Sequence, residues 1–192
     1  MLRRITVSPI MFLLLPAAML LLPLRWVMAW TLAVTVHELG HYIALRLCRV
    51  PLFAVTVTPV GVRMVTGELQ GREALICALA GPVAGLSLTF LARYLPCSAF
   101  CGWLQGMFNL LPIYPLDGGR ALRAILQKLC RRESMISATE NGIAITFAAI
   151  AVILAIYTGI GVFPLGMFLF IFLQKFLANS TKNRYNREKK LF

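Results

Sequence analysis

The two histidines of the chain stand four residues apart, in the segment His37-Glu38-Leu39-Gly40-His41. On an α-helix, side chains four positions apart project from one face about one turn apart, which suits two ligands of one Zn²⁺. Glu38 lies beside them, where its carboxylate could accept a proton from zinc-activated water. The alternative is a chance occurrence of this pattern on a solvated helix. Because the segment lies in an apolar stretch, where ionisable side chains are costly and usually functional, we favour the metal site.

A catalytic zinc ion usually takes three protein ligands and leaves a fourth position for water. Of the seven acidic residues, only Glu38 and Asp117 lie within or at the edge of strongly apolar segments, so Asp117 is the predicted third ligand. His41 and Asp117 each lie close to the basic end of an apolar segment, so the two side chains can lie at the same depth in a membrane. Because two glycines and Arg120 follow Asp117, a helix cap or an ion pair in a turn is the alternative. Four acids in loop-like stretches are the remaining candidates: Glu68, Glu73, Glu133 and Glu140.

Two segments together resemble the paired signature of the site-2 protease family of intramembrane metalloproteases. One is HELGH (37–41), and the other is NLLPIYPLDGGR (109–120). The resemblance extends to AGP (80–82) and covers roughly residues 26–126. The chain's size and predicted layout resemble the compact bacterial, stage IV sporulation-type branch of the family, whose members release a membrane-tethered transcription-factor precursor.

The resemblance implies a role for five residues. It implies His37, His41 and Asp117 as ligands of one zinc ion, Glu38 as the general base, and Asn109 as a residue that holds the substrate backbone or the developing oxyanion. An amide donor aimed at a tetrahedral intermediate is most effective in a dry site. A hydrogen bond between membrane helices is the alternative role for Asn109.

Composition predicts an all-α polytopic membrane protein, because 59% of the 192 residues are hydrophobic and 14% are charged. A membrane-spanning helix needs about 20 apolar residues, so the chain has room for about six. The predicted helices are 5–24, 26–47, 74–95, 100–126, 143–160 and 163–177, which form one transmembrane domain over residues 1–178. Pro112, Pro115 and two glycines interrupt the fourth, so it should be broken beside a cavity. The five scattered cysteines are predicted to be buried apolar side chains.

Residues 51–66, between the second and third predicted helices, alternate apolar and hydroxyl side chains and are rich in β-branched types. This pattern predicts a strand or a hairpin, with the turn at residues 59–61. A two-stranded element is marginal alone, so it should lie against the helices or the membrane interface. An unwound substrate segment could add to it as a further strand.

The formal charge of +12 would suggest a nucleic-acid partner in a soluble protein. Here the basic residues lie between and after the apolar segments, and only Arg25 and Arg93 of the 19 fall on the side opposite the rest. Because Lys and Arg collect on the cytoplasmic side, both termini are predicted to lie in the cytoplasm of a bacterial cell, with the chain in its membrane. The basic tail, 179–192, is predicted to lie on anionic lipid rather than to bind nucleic acid.

Motifs and resemblance together imply an intramembrane zinc metalloprotease that hydrolyses a peptide bond in or near a transmembrane segment of a membrane-tethered protein, as in regulated intramembrane proteolysis. The implied partners are that substrate, the lipid bilayer and membrane regulator proteins. The alternatives are a metal-binding membrane transporter and a protein that binds membrane segments without cutting them. A transporter has no need for a glutamate beside the first histidine that stays uncoordinated.

Overall fold

A computed structural model describes residues 4–9, 11–58, 61–130 and 132–158. These residues form three strands, six α-helices and one short 3-10 helix. In chain order they are β1 (Arg4–Val7), α1 (Met11–Leu21), α2 (Leu24–Leu47), β2 (Leu52–Thr58), β3 (Gly61–Thr66), α3 (Gly71–Ser87), the 3-10 helix (Leu88–Leu91), α4 (Pro96–Asn109), α5 (Asp117–Leu129) and α6 (Glu133–Thr158). The last two residues of the predicted fifth helix, the whole predicted helix 163–177 and the tail 179–192 lie outside the described residues.

The predominantly helical architecture is confirmed, and α2 corresponds closely to the predicted helix 26–47. It begins directly after Pro23, whose ring cannot continue a helix towards the N-terminus, and it ends before Arg49, which has a φ of 57°. Among the described residues, one helical stretch, Gly71–Leu91, has the length and apolarity needed to cross a bilayer. The count of six membrane-spanning helices therefore stays a prediction.

The expected break in the predicted helix 100–126 is confirmed. Its two parts are α4, which ends at Asn109, and α5, which begins at Asp117. The intervening loop holds Pro112 and Pro115, which have no backbone N–H for a helical ladder. The break places Asp117 in the first turn of α5, buried against the other helices.

The predicted pairing of two strands is also confirmed, since β2 and β3 pair in antiparallel fashion. Pro59 and Val60, in the predicted turn, lie outside the described residues. The sheet has a third strand that the sequence did not predict, because β1 pairs with β2 in parallel. The prediction of a first helix over 5–24 is therefore wrong at its start, and α1 begins only at Met11. Ile5, Thr6 and Val7 are β-branched and gain backbone hydrogen bonds from β2 along one edge, and this pairing overrides the apolar run that follows them.

Helices α2, α3 and α4 pack around each other through small residues. A side chain at Gly40 would put its Cβ 2.5 Å from the carbonyl oxygen of Ala80, and one at Gly102 would stand 2.5 Å from that of Gly85. Such close backbone approach is typical of helix packing in membranes. The resulting bundle holds α2 firmly between its neighbours. All five cysteines are free thiols. Cys77 and Cys101 are buried as predicted, but Cys48, Cys97 and Cys130 are only partly buried, so the prediction of burial is wrong for these three.

Candidate metal centre

Three side-chain atoms from two helices meet at nearly equal distances. His37 Nε2, His41 Nε2 and Asp117 Oδ2 lie 3.1 Å from one another. A tetrahedral zinc ion with ligands at about 2.0–2.2 Å separates its ligand atoms by about 3.3–3.6 Å, close to the observed spacing. Two imidazole nitrogens this close can share at most one proton, so their lone pairs and the carboxylate converge on a position that suits a cation. The donor set therefore fits a zinc ion.

The protonation of His41 is fixed by its other ring nitrogen. His41 Nδ1 lies 2.7 Å from the backbone carbonyl oxygen of Cys77, on α3. Since a carbonyl only accepts hydrogen bonds, Nδ1 must carry the proton, and Nε2 keeps its lone pair for a metal. A carbonyl acceptor behind a metal-binding histidine is the usual arrangement in metalloproteins.

The two carboxylate oxygens of Asp117 have different partners. Oδ2 faces both histidines, whereas Oδ1 lies 3.8 Å from Arg120 Nη1. The predicted alternative, an ion pair with Arg120, thus exists beside the ligand geometry and does not replace it. Arg120 is 59% exposed, so this pair is weak.

Three of the four other acidic candidates have partners elsewhere, and the fourth, Glu73, is exposed in the first turn of α3. Glu133 and Glu140 bind Arg123 at 3.0 and 3.1 Å, and Glu68 accepts a hydrogen bond from Gln70. Within the described ranges, the two histidines with Asp117 are the one set of three acidic, thiol or imidazole side chains close enough together to hold a metal ion.

Glu38 is half-buried beside the ligands and does not belong to their triangle. Its carboxylate accepts a hydrogen bond from the backbone N–H of Val62 in β3, and its charge interacts with both histidines and Asp117. The small sheet therefore holds the predicted general base. A proton acceptor next to a metal site, but not consumed by coordination, is the arrangement that hydrolysis requires.

Two glycines of α3 make room for the histidines. A methyl group at Gly81 would overlap the imidazole of His41, and one at Gly85 would lie 3.6 Å from Nδ1 of His37. The sequence indicated only that these glycines allow close helix packing. Their spacing of four residues equals that of the histidines, and this equality was the available signal.

Asn109 lies in the last turn of α4, eight residues before Asp117. Its side chain is partly buried, and Nδ2 donates to the backbone carbonyl oxygen of Gln105, 3.1 Å away in the same helix. This bond is neither the substrate contact nor the helix-to-helix bond considered from the sequence. The substrate-binding role of Asn109 stays a prediction.

Comparison with known proteins points to one family. The model of peptidase family M50 matches residues 90–154. The chain is 28% identical over 110 residues to "Zinc metalloprotease MJ0392" of Methanocaldococcus jannaschii, which covers 50% of this chain and 32% of that protein. It is also 36% identical over 109 residues to Rip3 of Mycobacterium tuberculosis, covering 47% and 28%. The chain thus spans about a third of the length of these curated relatives.

A solved structure shares the fold. The chain aligns with "Site-2 Protease from Methanocaldococcus jannaschii" with a TM-score of 0.64, over 88% of each chain and with 22% sequence identity. Together, the comparisons show that parts of this chain are similar to peptidase family M50 and to proteins described as zinc metalloproteases, and that the chain shares the fold of a site-2 protease.

Proposed function

We propose that this protein is an intramembrane zinc metalloprotease that hydrolyses a peptide bond in or near a transmembrane segment of a membrane-tethered protein. The observation that carries the proposal is the convergence of His37, His41 and Asp117 at 3.1 Å beside the uncoordinated Glu38. A transport site would need the three ligands but would have no use for an additional, uncoordinated carboxylate held by a strand.

In the proposed reaction, His37, His41 and Asp117 hold one zinc ion. When bound, the ion would lower the pKa of a water molecule and polarise the scissile carbonyl group. Glu38 takes one proton from the water whose oxygen bonds to the carbonyl carbon, and it delivers that proton to the nitrogen as the carbon–nitrogen bond breaks. The Val62 N–H keeps the Glu38 carboxylate turned towards the site during both transfers.

Asn109 is proposed to hold the substrate. Its Nδ2 carries two hydrogens, and the Gln105 carbonyl takes one of them. The second is free to bind the substrate backbone or the oxygen that gains negative charge. Such a donor contributes most where water is excluded.

The outer edge of β3 is the proposed docking site for an unwound substrate segment. The carbonyl oxygen of Val57 accepts a hydrogen bond from Ser8, so the backbone polar groups of Val57 face β1. Val62 lies opposite Val57, and its backbone groups therefore point away from β2, towards Glu38. An extended chain added at this edge would run past the general base.

Strand addition can be tested at Met64, which lies opposite Val55 and likewise turns its N–H outwards. Met64→Pro removes that N–H while sparing the ladder with β2, whereas Met64→Ala removes the side chain and keeps the N–H. Cleavage of a substrate segment should fall about tenfold further in the proline variant, with zinc content unchanged. Equal cleavage by both variants would exclude this edge as the docking site.

The membrane arrangement is part of the proposal. Helix α2 has 24 residues and is about 36 Å long, enough to cross the roughly 30 Å hydrocarbon core. With the span at Gly71–Leu91 and the distribution of basic residues, this supports a multi-pass protein of the bacterial cell membrane with both termini in the cytoplasm. The sporulation-type branch, a transcription-factor precursor as substrate and membrane regulators rest on the resemblance alone.

The proposal is tested with wild-type and Glu38→Gln protein purified through a tag without histidine. Bound zinc is quantified, and both proteins are incubated with a panel of membrane-tethered reporter segments. We expect one zinc per chain in both, with cleavage by the variant lower by about 10²–10⁴-fold. Zinc in both proteins without cleavage of any segment would favour a transporter or a non-cleaving binder. Absence of zinc from both would refute the metal centre itself.

A further inference from the structure

One of the two histidines at the proposed metal centre has no hydrogen-bond partner for its second ring nitrogen. His41 donates from Nδ1 to the Cys77 carbonyl oxygen, but the buried Nδ1 of His37 has no hydrogen-bond partner among the described residues. With Nε2 turned to the metal, Nδ1 of His37 must carry the proton and act as a donor. A buried donor without an acceptor is costly, and metal-binding histidines almost always have one.

A complementary atom lacks a partner as well. In the part of the chain that the structure describes, the other buried side-chain atom without a hydrogen bond is Oε1 of Gln105, an acceptor. Gln105 lies on α4, in a largely apolar segment where a polar amide is costly and usually has a role. One buried donor and one buried acceptor are thus left over in neighbouring helices.

Packing places the two groups at one junction. A Cβ atom built on Gly85 would lie 3.6 Å from His37 Nδ1 and 3.5 Å from the carbonyl oxygen of Gly102. His37 Nδ1 therefore lies at most about 7 Å from the Gly102 carbonyl oxygen of α4, within reach of a glutamine side chain. Gln105 follows Gly102 by three residues on the same helix face, and long helical side chains lean over the preceding turn. Gly102 has no side chain to block that path.

We propose that Gln105 is the positioning residue of His37: its Oε1 accepts the Nδ1–H of His37 across the Gly85–Gly102 contact, directly or through one water molecule. This inference rests on the proposed metal centre. It gives His37 the support that the Cys77 carbonyl gives His41, and it ties α4 to a ligand on α2. The imidazole is thereby held in one tautomer and one orientation, with Nε2 facing Asp117.

The chain's composition makes a direct test possible, because it has only two histidines. Protein labelled with [¹⁵N]histidine and loaded with zinc should show two slowly exchanging Nδ1–H signals. Labelling cysteine with ¹³C at the carbonyl carbon identifies the His41 signal through its bond to Cys77. Gln105→Leu should expose the His37 proton to exchange, leave the His41 signal in place, and weaken zinc binding about 10–100-fold in a chelator competition.

Two further variants make the test specific. Gln105→Glu keeps an acceptor and should retain both the slow His37 signal and the zinc affinity. Gln127→Leu, a change of the same type on an exposed face of α5, should alter neither. If Gln105→Leu does not fold, loss of zinc affinity or of the slow His37 signal in Gln105→Glu still overturns the inference.

Other outcomes separate this inference from the proposed function. If Gln105→Leu keeps both signals and the wild-type zinc affinity, Gln105 does not position His37, even if cleavage falls through a substrate contact. If wild-type protein binds no zinc, the proposed metal centre fails first, and the positioning role with it.

Discussion

Replacing Gly81 by alanine should displace the ligand His41. The new Cβ would stand 2.5 Å from Cε1 and 2.6 Å from Cδ2 of that ring, whereas ordinary contact begins at 3.4 Å. The imidazole would have to move by about 1 Å, although zinc–ligand distances tolerate only about 0.2 Å. Its bond to the Cys77 carbonyl, at 2.7 Å, opposes the shift. A misplacement of about 1 Å at a reacting centre costs roughly 100-fold, so cleavage should fall by at least that factor, with weaker zinc binding.

Gly85→Ala is the matched control, because its Cβ would meet the nearest atoms at 3.5 and 3.6 Å. It changes the same residue type on the same helix, one turn away, and should reduce cleavage far less than Gly81→Ala does, because its methyl group overlaps no ligand. Alanine favours helix over glycine by about 1 kcal/mol, so a loss confined to Gly81→Ala cannot come from helix propensity. Both variants are assayed for reporter cleavage and for zinc retained against a chelator. Wild-type behaviour of Gly81→Ala in both assays would refute the reasoning.

Three other perturbations have defined outcomes. Removing zinc with a chelator should abolish cleavage, and adding zinc should restore it; cleavage by metal-free protein would contradict the mechanism. Arg123→Met should lower the free energy of unfolding by about 1–3 kcal/mol, because it leaves the buried Glu140 without its partner. In a thermal unfolding assay, the double variant Arg123→Met with Glu140→Gln should be more stable than Arg123→Met alone. If the two substitutions lower the free energy of unfolding additively, the two residues do not interact. Gly142→Ala, where a methyl group would meet no atom of the described chain within 4 Å, should raise stability by up to about 1 kcal/mol without changing cleavage.

Local patterns allowed correct prediction of several parts of the fold. The spacing of His37 and His41 places both on one helical face regardless of the rest of the chain, and the alternation in 51–66 predicts the hairpin. The break before Asp117 follows from the prolines of the 110–116 loop, which cannot take part in a helical ladder. Each of these features depends on interactions between residues that are close in sequence.

The features that were missed depend on distant partners. β1 has only four residues, and it pairs in parallel with a strand about fifty positions away, so its own sequence reads as the start of an apolar helix. Glu38 was predicted as the base, but its hydrogen bond from Val62 required knowledge of where β3 lies. The same is true of Gln105, whose neighbour on α2 is set by helix packing.

One of these long-range relations is nevertheless present in the sequence as a pair of equal spacings. His41 lies against Gly81, and His37 lies nearest to Gly85, so the order of the two pairs is reversed, as antiparallel helices require. A bulky ligand pair on one membrane helix needs a pair of small residues with the same period on the helix that covers it, because a large side chain at either position would collide with an imidazole. An i, i+4 glycine pair in the next apolar segment therefore predicts both which helix covers the metal ligands and the register at which it does so.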